Sequence, residues 1–195
     1  MKEYKLKISD VTSIAAGHPF RGKILEKSGS GIRVIQMKDI SIGEGVFWSG
    51  VIETEIVGKK SPDWLVDGDI LFAARGAKNY AVLMDDIVGK VVSAPQFYIL
   101  RVTESALLPE FLVWQLNQKS VQKYFESTSE GSLTKSVRRS VLENTEICIP
   151  PLQKQKQVLG LYETLKAEKA VCAELTRNAD RLMNAIANNV LSDRT

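Results

Sequence analysis

Gly17, Gly22 and Lys23 in the stretch GHPFRGKI stand at the spacing G-x-x-x-x-G-K, the pattern by which a glycine-rich loop wraps backbone N–H groups and a lysine around nucleotide phosphates. The pattern fails at its last position, because Ile24 stands where a Ser or Thr hydroxyl has to ligate magnesium. The residues before it also suggest a helix where a strand is required. A nucleotide-dependent enzyme is therefore disfavoured; its signature would be ATP binding abolished by Lys23→Ala. His18, the only histidine, has no Cys or acidic cluster at ligand spacing and no G-x-S-x-G elbow to join, so it reads as a loop residue. The SGSG stretch, Ser28 to Gly31, precedes a strand where a dinucleotide fingerprint follows one. Asp67 and Asp69 in VDGDIL read as a turn before an apolar run, and no acid-x-Lys triplet follows Pro62-Asp63. No catalytic centre, cofactor or metal site is expected.

The basic residues of the first 150 positions are grouped, and each group lies beside a glycine. Arg21 and Lys23 flank Gly22; Lys59 and Lys60 follow Gly58; Arg75, Lys78 and Asn79 surround Gly76; Lys135, Arg138 and Arg139 follow Gly131-Ser132. Loops carried on a sheet are where recognition side chains usually sit. TKSVRRS carries three positive charges and no acid, with hydroxyls between them, a combination suited to phosphate contacts. Arg75 and Asn79 belong to the residue types that read guanine and adenine edges with paired hydrogen bonds. Any one group fits a solvated turn equally well, and the net charge of +3 permits an anionic partner without demanding one.

These loops need a scaffold, and the sequence predicts an α+β one: a mixed α/β domain over 1–150 with a twisted sheet, then one long C-terminal coiled-coil helix over 151–195. ISDVTSIAAG predicts a first helix capped by Ser9 or Asp10 and stopped by Gly17. GIRVIQM, SGVIETEIVG, DILFAAR, NYAVLM, GKVV and QFYILRV predict strands of one sheet. LLPEFLVWQLNQKSVQKYF predicts a helix with Pro109 at its first position, LTKSVRRSVLEN a shorter one, and TEICI a last strand. After Pro151, Val158, Leu165, Cys172, Ala179 and Ile186 fall at a positions and Leu161, Glu168, Leu175, Leu182 and Asn189 at d; eight of the ten are apolar. Without an internal proline, 152–190 predicts a single helix about 57 Å long whose stripe needs a partner helix. Pro150 and Pro151 predict a rigid joint, with Pro151 in the first helical turn. Cys148 and Cys172 are too few for a disulfide framework and are expected as buried thiols. With no signal-like start and no apolar run long enough for a membrane, a cytoplasmic location is expected.

In chain order, SIAAGHPFRG, WLVDGDILFAARG, LLPEFLVWQLNQKSVQKYF and GSLTKSVRRSVLENTEICIPPLQKQKQV resemble one target-recognition domain and its spacer helix in the specificity subunits of type I restriction-modification systems. The resemblance covers nearly the whole chain and rests most on GDILF at Gly68 to Phe72 and on the passage Ile147 to Gln155. It implies a non-enzymatic recognition subunit that reads one half of a split double-stranded DNA target. It also implies docking to a methyltransferase (M) subunit, and in a complete system a restriction (R) subunit, which carry out methyl transfer and cleavage. Only the scaffold positions Gly68, Asp69, Pro151, Leu152 and Gln155 carry over by motif; no base contact does. Full-length members carry two recognition domains and two spacers, so this chain resembles a half subunit, for which a homodimer through Val158, Leu161, Leu165, Cys172, Leu175, Ala179, Leu182 and Ile186 is expected. Glu168 and Asn189 suit parallel and antiparallel pairing alike. Lys154 stands where the family often has Glu, removing an acid from the first helical turn. A coiled-coil adaptor whose domain binds protein or RNA is the alternative, distinguished by duplex binding with neither salt dependence nor sequence preference.

Overall fold

The computed structural model describes residues 5–56, 61–128 and 135–192. The chain divides into two compact units, Met1–Gln155 and Lys156–Thr195. The first begins with strand β1 (Lys5–Lys7), a single helical turn α1 (Ile8–Val11) and β2 (Thr12–Ala16). The expected first helix is thus one turn long. Lys7 is its N-cap, and Asp10 accepts a hydrogen bond from the Lys7 N–H at 3.1 Å. Ile8 and Val11 are buried, and the Thr12 hydroxyl donates back to the Ile8 carbonyl at 2.8 Å, closing the turn. From Thr12 onward the chain pairs antiparallel with a later strand, so tertiary pairing overrides the alanine-rich local preference. Gly17 ends β2 where a Cβ would lie 2.0 Å from the Ala94 carbonyl oxygen, a backbone approach only glycine permits.

The strands that follow are β3 (Ile32–Ile35), β4 (Ile40–Ser41), β5 (Gly45–Val46), β6 (Ile52–Glu53), β7 (Ile70–Ala73), β8 (Arg75–Gly76), β9 (Ala81–Leu83), β10 (Lys90–Ser93) and β11 (Phe97–Val102). They do not form the one sheet expected. Among the described residues, four make an antiparallel sheet of order β2-β11-β7-β9, and three make a mixed sheet of order β10-β3-β6 in which β10 and β3 run parallel. β4 and β5 form a separate two-stranded hairpin. One core joins the pieces: Ile35 of β3, Leu71 of β7, Val91 of β10 and Phe97 of β11 belong to a single buried cluster. Removing that apolar surface from water is the main stabilising contribution of the unit.

The single helix expected from residue 109 is two, α2 (Pro109–Leu116) and α3 (Lys119–Thr128). Asn117 sits between them at the C-cap, and its side chain reaches β9, accepting from the Ala81 N–H at 2.9 Å and donating to the Ala81 carbonyl at 2.8 Å. That amide replaces a neighbouring strand along β9. Gln115 does the same for a later strand, accepting from the Cys148 N–H and donating to the Cys148 carbonyl, both at 2.7 Å. Two amide side chains at the end of α2 therefore satisfy backbone groups that would otherwise need water. Phe125 of α3 packs on Phe72 of β7 with ring centroids 5.0 Å apart.

The unit closes through β12 (Lys135–Ser136), α4 (Arg139–Glu143) and β13 (Glu146–Cys148), the last antiparallel to β1. The helix expected over LTKSVRRSVLEN is accordingly shorter, because its basic start is drawn into a strand. α5 (Leu152–Ser192) follows the two prolines as one continuous helix of 41 residues. Pro151 caps it from outside the first turn, its carbonyl accepting from the Lys154 and Gln155 N–H groups at 2.8 and 3.1 Å. Gln155 is wholly buried. It donates to the carbonyls of Ala106 and Pro150, both at 2.7 Å, and accepts from the Leu108 N–H at 3.0 Å. The first turn of α5 is thereby tied to the residues that start α2.

The second unit is the remainder of α5. Leu161, Leu165, Leu175, Leu182 and Ile186 of the expected stripe are each 47–68% exposed. The cysteine expectation is corrected: Cys148 is half-buried and Cys172 is exposed. Among the described residues no helix is long and apolar enough to cross a membrane.

Candidate nucleic-acid interface

Two of the basic groups meet. β8 and β12 pair antiparallel, Lys135 opposite Gly76 and Ser136 opposite Arg75, which brings together segments sixty positions apart in sequence. The Val137 N–H donates to the Ala74 carbonyl at 2.9 Å and continues the connection on the buried side. Gly76 fits against a neighbouring side chain: a Cβ there would lie 3.1 Å from the Met37 methyl. A third group lies close by. A recess of about 390 Å³ is lined by Gly22, Lys23, Met37, Lys38 and Gln96 among others. The carbonyl of Gln96 accepts from the N–H groups of Ala74 and Arg75 at 2.9 and 3.3 Å, so this recess adjoins the β8 segment.

Availability separates the cations. Several are engaged within the fold: Lys5 with Glu146 at 3.3 Å, Lys27 with Glu55, and Arg139 with Glu143 at 2.7 Å. Arg33 donates to the Val88 carbonyl and lies 5.0 Å from the centre of the Trp48 ring, while Lys90 lies 5.5 Å from that of Trp64. Arg101 clasps the wholly buried Asp69 with two bonds of 2.7 Å, and that hydrogen bonding raises the guanidinium pKa further above its usual value. Asp69 also accepts from the Val66 N–H at 3.0 Å, beside Gly68 at φ +87°, so the turn expected at VDGDIL is present and is braced by an ion pair. Arg21, Lys23, Arg75 and Lys78, by contrast, are exposed, and no side-chain hydrogen bond or ion pair engages them among the described residues. Their charges face solvent uncompensated.

Asn79 is withdrawn as a base reader. It is 5% exposed, and its amide nitrogen donates to the carbonyls of Ala73 and Ala74 at 2.9 and 3.1 Å, holding the turn between β7 and β9. Arg139 is exposed but paired, and Arg138, also exposed, has a partner within the chain. Lys135 is placed by its backbone in β12. Lys59 and Lys60 lie outside the described residues. Sequence reasoning missed Gln96, Asn117 and Arg101. Arg101 alone had a signal, as the single charge within the apolar strand QFYILRV.

The catalytic options are not assembled. Gly17 to Lys23 follows a strand after all, β2, yet no helix follows it before β3, so no helix N-terminus faces a phosphate there. His18 rests edge-on against Phe20 with ring centroids 4.8 Å apart, and burial lowers its pKa. No group of three or more His, Cys, Asp or Glu among the described residues is placed to hold a metal ion.

Solved structures with the same fold include the HsdS subunit from Thermoanaerobacter tengcongensis, at 16% identity and TM-score 0.62, covering 87% of this chain and 38% of that one. The S subunit of a type I restriction-modification system from M. genitalium matches at 15% identity and TM-score 0.55, covering 84% and 38%. A chain from a study of assembly and conformational transition of the type I R-M system matches at 15% identity and TM-score 0.55, covering 87% and 39%. The chain thus spans about two-fifths of each of these structures. No curated protein sequence matches it significantly. The family profile described as the type I restriction modification DNA specificity domain matches residues 1–177. With that match running through the β8 and β12 segments and most of the long helix, the chain belongs to the type I restriction-modification DNA specificity family.

Proposed function

We propose that this chain is a non-enzymatic DNA-recognition subunit. Residues 1–150 read one half of a split duplex target, and residues 151–195 form a spacer that pairs with a second helix and helps dock a type I methyltransferase subunit. Methyl transfer, and cleavage by a restriction subunit, take place on those partners. The observation that carries the reading is the β8–β12 pairing, which places two separate basic segments side by side next to the recess bordered by Lys23 and Lys38. Cations left without intramolecular partners suit phosphate oxygens, and the neutral groups between them suit base edges.

The stripe of α5 favours a second copy as the helix partner, since Leu161, Leu165, Leu175 and Leu182 are more than half exposed. A two-fold pair of half subunits reads a palindromic split target. The test has two arms. Selection from random duplexes by the full chain, with and without a type I methyltransferase subunit, is expected to yield a bipartite site; recovery of unselected sequence under both conditions refutes recognition. Leu175→Glu/Leu182→Glu is expected to convert a dimer into monomers in sedimentation, and an unchanged mass refutes pairing through this stripe.

A further inference from the structure

The reading amide expected at Asn79 is engaged inside the fold, yet the surface beside Arg75 carries another. Gln96 lies in the turn between β10 and β11, preceded by Pro95, and both residues line the recess beside Lys23 and Lys38. Its backbone is held on two sides. The Gln96 carbonyl accepts from Ala74 and Arg75, and the Phe97 N–H that follows donates to the Ala94 carbonyl at 3.2 Å. The turn is anchored by buried residues at both ends: Ala94, just after β10, is 1% exposed and Phe97, the first residue of β11, 1%. The Gln96 side chain, in contrast, is exposed and makes no hydrogen bond among the described residues.

We infer that Gln96 is a specificity-determining residue of this chain, presenting its carboxamide to the edge of an A·T base pair next to the pair read by Arg75. A carboxamide offers one donor and one acceptor side by side, which matches the N7 acceptor and N6 donor of adenine in the major groove. The backbone bond between Arg75 and Gln96 fixes the spacing of the two side chains at their roots. Lys23 borders the same recess and is free to grip a phosphate beside a read base, whereas Lys38 on that border already lies 4.0 Å from the buried Asp39 carboxylate. A rigid backbone under a free side chain is what readout requires, because a mobile support would lose ordering entropy on binding.

This inference rests on the DNA-recognition reading above, and the experiment separates the two. The full chain with its methyltransferase subunit is selected against random duplexes, in parallel with Gln96→Ala and Gln96→Glu. Gln96→Ala is expected to lose preference at a single A·T position by on the order of 5- to 150-fold, the worth of one bidentate contact. Affinity for unselected DNA and the melting temperature are expected to stay unchanged. Gln96→Glu, which can only accept, is expected to move the preference at that position toward cytosine. Identical selected sites for wild type and both variants overturn the role of Gln96 while leaving recognition intact. A uniform loss of affinity without change of site also overturns it, as that marks a phosphate contact or a packing role. Absence of any selected site with the wild-type chain overturns recognition itself, and Gln96 with it.

Discussion

Lys23 and Lys78 of the proposed interface are exposed and have no partner among the described residues, so their charges are available to DNA at no cost to the fold. The double substitution Lys23→Ala/Lys78→Ala should therefore act on binding alone. Each phosphate neutralised by a cation contributes about 0.9 to the slope of log affinity against log salt. Losing two lowers the slope by about 1.8, so between about 50 and about 200 mM salt the affinity of the variant falls roughly 12-fold less than that of the wild type. Surface substitutions of this kind leave stability within about 0.5 kcal/mol. Arg139→Ala is the informative control. Its guanidinium already pairs with Glu143 at 2.7 Å, one turn along α4, so its removal is expected to leave the slope where it is. Fluorescence anisotropy of a labelled duplex, titrated at several salt concentrations, measures all three proteins. The reasoning is refuted by a double variant whose slope matches wild type, or by Arg139→Ala flattening the slope by half as much as the double variant does or more.

Arg101→Met leaves the wholly buried Asp69 carboxylate with the Val66 N–H as its remaining hydrogen-bond donor. Because Arg101 is itself half exposed, the expected cost lies below that of a fully buried pair, at about 2–3 kcal/mol. That corresponds to a fall of roughly 5–10 °C in melting temperature. Urea denaturation is the check, and a loss under about 0.5 kcal/mol would mean that the turn at Gly68 holds without its brace. His18 gives a pH prediction. Burial lowers its folded-state pKa below 6.5, so protonation favours the unfolded chain, and stability should fall as pH drops below that value. His18→Gln should make the stability curve flatter between about pH 5 and about pH 7.5, and an unaltered curve would exclude His18 as a source of the slope.

The parts of the fold legible in sequence are those set by local pattern. The seam of α5 shows because apolar residues recur at heptad spacing with no proline inside the run, and the helix extends from Leu152 to Ser192. β7 shows because ILFA is a short apolar run behind an Asp-Gly turn. The misreadings all come from partners distant in sequence. SIAAG looks helical until β11 is beside it, and the helix starting at Pro109 looks continuous until Asn117 turns to β9. The parallel pairing of β3 with β10 divides the sheet, and nothing within either strand announces a partner more than fifty residues away.

The site was legible as charge and illegible as availability. Four basic groups are visible in the sequence, but which cations are engaged internally depends on where the acids land. Arg101 and Asp69 are 32 residues apart and form a clasp; Lys27 and Glu55 are 28 apart and pair as well. Arg75 and Lys78 lie in a segment whose near neighbours in space include Met37, Gln96 and the β12 segment, and no acid among the described residues pairs with them. A chain with near-balanced charge can therefore hold an anion-seeking surface, because its acids serve structural cations elsewhere. Asn79 and Gln96 follow the same rule in neutral form. The amide buried under the turn is committed to backbone carbonyls, and the exposed amide of Gln96 makes no hydrogen bond among the described residues. Arg75 and Gln96, joined through the Gln96 carbonyl, are the adjacent pair whose side chains no described residue engages.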